Sequence, residues 1–87
     1  MSRPRRTRPT RTAPMPEITR IGERFAERRI ELRLTQQTLA DLAGVSRSSV
    51  QSLEYGSGSV KLASVVDIAE VLGLRLQPVP AVETETR

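Results

Sequence analysis

Apolar residues recur at helical spacing in four stretches of this chain, each closed by a cap or a turn residue. In the first, from about Thr19 to Arg33, Ile21, Phe25, Arg29 and Leu32 share one stripe. In the second, Thr35 is placed to cap a helix whose apolar face is Leu39, Ala40 and Ala43. Gly44 then supplies the left-handed residue that a sharp turn between helices needs. Ser46 caps a third helix, with Val50 and Leu53 facing inward and Arg47, Ser48, Gln51 and Ser52 facing out. The fourth runs from about Leu62 to Leu72, with Leu62, Val65, Val66, Ala69 and Leu72 as its stripe, Asp67 and Glu70 outside it, and Gly73 ending it. The Gly56–Val60 loop ahead of it is polar and is expected to be flexible. After Gly73 the period changes. Leu74, Leu76 and Pro78 alternate with Arg75, Gln77 and Val79, which predicts a strand over 74–80 that Pro78 and Pro80 stop. A lone strand must pair with a second copy, pair with another protein, or stay unpaired.

The expectation is an all-α domain: a compact four-helix unit over 17–73, a dimerisation strand over 74–80 and a short polar tail over 81–87. Residues 1–16 mix Arg, Pro and Thr, with prolines at 4, 9, 14 and 16, and predict a disordered arm. That arm is either a solvated extension or a basic arm that lies along phosphates or enters a minor groove.

Charge changes this picture less than the pI suggests. The total is +4, but Arg3, Arg5, Arg6, Arg8 and Arg11 with no acid put +5 in residues 1–16, which leaves −1 on residues 17–87. An argument for nucleic acid therefore rests on the helix pair, with the arm as a supplement. The chain has no Cys and no His. It thus has no disulfide, no imidazole or thiolate metal site and no Ser–His or Cys–His nucleophile. No phosphate-cradling glycine loop is present, and the carboxylates are scattered over solvent faces, so neither an enzyme nor a cofactor is expected. No apolar run reaches membrane-spanning length and no secretory signal is visible, which predicts a cytoplasmic protein.

Two residues break the polarity pattern together. Arg29 sits on an apolar stripe, and Glu54 follows Leu53 on the inward side of the third helix. An ion pair between them is the economical solution; the alternative is that both heads snorkel to solvent. On the outward face, Arg47 is suited to a bidentate contact with guanine in a major groove, and Ser48, Gln51 and Ser52 can donate or accept beside it. Gln36, Thr35 and the free N–H groups at the start of the second helix are suited to phosphate. Ser46 is first a cap and second a phosphate contact.

These residues resemble the helix-turn-helix family of phage repressors and Cro proteins, the XRE family. The resemblance covers about Ile18 to Leu74 and rests on Leu34-Thr35-Gln36, Leu39-Ala40, Gly44-Val45-Ser46, Val50 and Leu53-Glu54 followed by Gly56. It implies a lambda-repressor-like fold and sequence-specific binding to double-stranded DNA. It also implies a phosphate contact from Gln36, base contacts from Arg47, Ser48 and Ser52 with Gln51 adjacent, and an Arg29–Glu54 pair. The chain departs from the family pattern at Thr38, where Glu is common, at Tyr55, at Ser59-Val60, and in lacking a fifth helix. Its ending is similar to that of HipB-like antitoxins. That similarity implies a homodimer joined through Leu74, Arg75, Leu76 and Gln77, a palindromic operator, and a HipA-like kinase toxin as partner. The expected function is a repressor that is also the antitoxin of a type II pair and controls its own operon. The alternatives are a stand-alone regulator and a protein whose main role is toxin neutralisation.

Overall fold

A computed structural model describes residues 15–81, which form four helices: α1 (Pro16–Glu31), α2 (Gln36–Ala43), α3 (Arg47–Tyr55) and α4 (Leu62–Leu72). The core is Phe25 from α1, Leu39 and Ala40 from α2, Val50 and Leu53 from α3, and Val65, Ile68, Ala69 and Leu72 from α4. Ile21, Leu34, Ala43, Val45, Val60, Val71 and Leu74 pack around its edge.

Each helix end has a local cause. Pro16 occupies the first turn of α1, where its missing N–H costs nothing, and so the helix starts three residues before the expected Thr19. Glu17 near the N-terminus and Arg28 and Arg29 in the last turn complement the helix dipole. The Thr35 and Ser46 hydroxyls accept from the N–H groups of Thr38 and Ser49, capping α2 and α3. Thr38 lacks the long carboxylate of a capping box, and its hydroxyl instead accepts from Thr35 Oγ1 at 2.9 Å.

All four helices close with the same two-bond pattern, in which successive N–H groups reach back three and then five residues. The left-handed residue in that closure is Gly44, Gly56 and Gly73 in three helices and Arg33, at φ 59°, in α1. The turn at Arg33 redirects the chain, so Leu34 reaches the core and Leu32 does not. The expected place of Leu32 on the inward stripe is thus corrected.

Helix α4 also presents a different face from the expected one. Leu62 is 70% exposed and Val66 is exposed, while Ile68, absent from the expected stripe, is fully buried. Val60 in the preceding loop packs on the core where Leu62 was expected. That loop carries a Ser57–Ser59 hydroxyl contact of 2.8 Å and a hydrogen bond from the Ser59 N–H to Ser57 Oγ.

Two contacts lock α1 in place. Arg28 Nε donates to the Leu72 carbonyl at 2.9 Å, which ties α1 to the end of α4. Gly22 lies directly against α3: a Cβ there would collide with the Leu53 carbonyl oxygen and stand 3.0 Å from that of Glu54. Residues 74–81 continue from α4 with no strand ladder among the described residues. A ladder needs a second strand, and the described chain offers none. Arg3, Arg5, Arg6, Arg8 and Arg11, expected to form a basic arm, lie outside the described residues, as does most of the tail.

Candidate nucleic-acid interface

Helix α3 is held by its inner face and shows its outer one. Val50 and Leu53 are sealed in the core, while Arg47, Ser48, Gln51 and Tyr55 are exposed and Ser52 is half-buried. The glycine turn at Gly44 and the Ser46 cap fix where this helix begins. Its rotation is set by Val50, Leu53 and one polar network.

That network is centred on Glu54. Arg29 Nε donates to Glu54 Oε2 at 2.7 Å and Arg29 Nη2 to Oε1 at 3.0 Å, a two-point contact between α1 and α3. The third nitrogen, Arg29 Nη1, donates to the Leu34 carbonyl at 2.8 Å in the α1–α2 connection. Gln36 Nε2 donates to Glu54 Oε1 at 3.0 Å from the first residue of α2. One carboxylate and one guanidinium therefore tie three helices and a loop together. The pair is largely enclosed, with side-chain exposures of 15% for Arg29 and 9% for Glu54. The hydrogen bond from Glu54 raises the Arg29 pKa above its ordinary value, with its Coulombic attraction adding and desolvation opposing.

The start of α2 and the start of α3 meet over a shallow depression lined by Arg29, Leu34, Thr35, Gln36, Gln37 and Arg47. Thr35, Gln36 and Arg47, expected as phosphate and base contacts, are brought together there. Gln36 spends one amide hydrogen on Glu54 and keeps the second, along with its backbone N–H at the helix start. Arg47 makes no ion pair with any described residue, and its guanidinium is free for a ligand. Gln37, not singled out in the sequence, joins this lining and donates to Asp41 Oδ1 at 2.9 Å. Its only sequence signal is its place in the first turn of α2.

The serines are less free. Ser46 Oγ receives the Ser49 N–H at 3.1 Å and lies 3.1 Å from Ser48 Oγ and 2.9 Å from Ser49 Oγ. Ser48 reaches a base only by rotating away from that cluster. Ser46 serves as the cap. The residues expected to join a dimer lie elsewhere: Leu74 is half-buried, and Leu74, Arg75 and Leu76 line a depression with Val66, Ala69, Glu70 and Gly73 at the end of α4. Gln77 is exposed. Among the described residues no group of three acidic, His or Cys side chains is placed to hold a metal ion, and no helix is long and apolar enough to cross a membrane.

A family model described as helix-turn-helix matches residues 25–79. An uncharacterized transcriptional regulator in the ATPase CF(0) region of Rhodospirillum rubrum is 37% identical over 54 residues, covering 62% of this chain and 50% of that protein. The chain thus spans about half the length of that curated relative. The crystal structure of the restriction-modification controller protein C.AhdI from Aeromonas hydrophila is similar at a TM-score of 0.64 and 33% identity, over 70% of this chain and 92% of that one.

Proposed function

We propose, because the chain belongs to the helix-turn-helix family, that it is a sequence-specific double-stranded DNA-binding regulator of transcription that acts as a repressor and not as an enzyme. The observation that carries this is the outward face of α3: hydrogen-bonding side chains and one unpaired cation on a helix locked from behind by Arg29, Glu54 and Gln36. A short helix with that face fits a major groove, and the start of α2 stands beside it to hold a phosphate. Arg47 reads guanine; Gln51, Ser48 and Ser52 supplement it; Thr35 and Gln36 set register. The regulatory role has support from the relative and the controller protein just described.

A homodimer presents two α3 helices about 34 Å apart to successive grooves, so the operator is a palindrome. The segment Leu74–Gln77 joins the copies, each supplying the strand the other lacks. Selection of the full chain on a pool of randomised duplexes tests this. The expected product is a sequence with two inverted half-sites. Recovery of no preferred sequence overturns the reading.

The finer role of antitoxin has one supporting feature, the exposed Val79 beyond the pairing segment, which offers a partner an apolar side chain. Co-purification with the product of a neighbouring gene, of HipA-like kinase type, tests it. Purification of the chain alone from its native operon context overturns it in favour of a stand-alone regulator.

A further inference from the structure

The outward stripe of α3 continues past Ser52. Tyr55 lies one turn beyond Gln51 on the same side and is 90% exposed. From Arg47 to Tyr55 is eight residues, about 12 Å along a helix axis, and a major groove is also about 12 Å wide. A helix seated in such a groove with its first turn at the base edges carries its last residue out toward the phosphates at the groove's rim.

We propose that Tyr55 is a DNA-positioning residue, its hydroxyl donating to a backbone phosphate and its ring lying along the adjoining deoxyribose. This rests on the DNA-binding reading above. The chemistry of the helix end favours a neutral donor there. The carboxyl end of a helix dipole repels phosphate, and the carbonyls of Ser52 and Leu53 are already occupied by the N–H groups of Ser57 and Gly56. A phenol carries its donor clear of those carbonyls, and its ring offers apolar surface to a sugar. The opposite end of α3 is anchored beside Thr35 and Gln36. One anchor leaves the reading helix free to pivot, and two fix its register. The closing turn of α3 is itself braced, since Gly56 lies against Thr19 and Gly58 against Ile18 at the start of α1.

The test uses Tyr55→Phe and Tyr55→Ala in the full chain, with the duplex recovered by selection and a random-sequence duplex as probes. Tyr55→Phe is expected to weaken binding to both duplexes by the same factor, about tenfold, the size of one hydrogen bond to a charged acceptor. The salt slope stays unchanged, since no cation is lost. Tyr55→Ala weakens both further. Thermal melting of the free protein does not move, because the side chain is exposed. A second readout is direct: Tyr55 is the only Tyr and there is no Trp, so the intrinsic emission reports this ring alone and is expected to change on saturation with duplex. Wild-type affinity in both variants overturns the proposal, as does unchanged emission. Altered sedimentation with unaltered DNA affinity also overturns it and assigns the ring to a protein interface. A wild-type chain that binds no duplex brings down the DNA-binding reading itself, whereas binding that ignores Tyr55 brings down this proposal alone.

Discussion

Gln36 and Arg29 donate to the same oxygen of Glu54, each at 3.0 Å. The first residue of α2 and the last turn of α1 therefore hold α3 through one acceptor. Removing the acceptor leaves Arg29 enclosed and uncompensated, which costs more than the pair itself contributes. Glu54→Ala is expected to destabilise the fold by about 3–5 kcal/mol, read by urea denaturation. A loss under about 1 kcal/mol, the range of exposed pairs, contradicts an enclosed network.

Gly22 is a second point of tight fit. A glycine in mid-helix costs about 1 kcal/mol of propensity against alanine, yet here alanine meets the backbone of α3. Backbone does not yield as a side chain does. Gly22→Ala is expected to lose about 1–3 kcal/mol, the usual cost of overpacking, and to lower the melting temperature. An increase in melting temperature indicates that α1 and α3 separate freely.

Arg33 runs the other way. It holds a left-handed conformation at φ 59° in a position that glycine fills in the other three helices. Relief of about 1 kcal/mol or more of strain outweighs the added entropy of glycine in the unfolded chain. Arg33→Gly is expected to stabilise by about 0.5 kcal/mol and Arg33→Val to destabilise. Calorimetry on the pair checks the opposite signs.

Arg47→Ala is expected to weaken binding to the selected duplex by about 1–3 kcal/mol while leaving random duplex nearly unaffected. An equal loss on both removes its base-reading role. Deleting residues 1–14 gives the contrasting signature, a shallower dependence of affinity on salt with the sequence preference kept.

Truncation after Gly73 removes the proposed pairing segment but leaves the core side chains of α1–α4 in place. The expected result is a folded chain that sediments as a monomer at concentrations where the full chain is dimeric. A truncated dimer moves the contact elsewhere, with the exposed Leu62 and Val66 of α4 the next place to look.

The α2–turn–α3 unit was legible in the sequence because its determinants are local. The Thr35 and Ser46 caps act three residues away, and Gly44 acts on its own backbone. The Arg29–Glu54 pair was legible as two matching exceptions to a polarity pattern, although they lie 25 residues apart. What the sequence left open is relative placement. The rotation of α4, which buries Ile68 and exposes Leu62, depends on where α1 and α2 stand. The need for Gly22 arises only when α3 presses on α1. Leu34 replaces Leu32 against the core because one left-handed residue redirects the chain. Periodicity defines an apolar face to within about a turn, whereas packing at crystal-like density chooses among neighbouring side chains, and only the assembled helices supply that constraint.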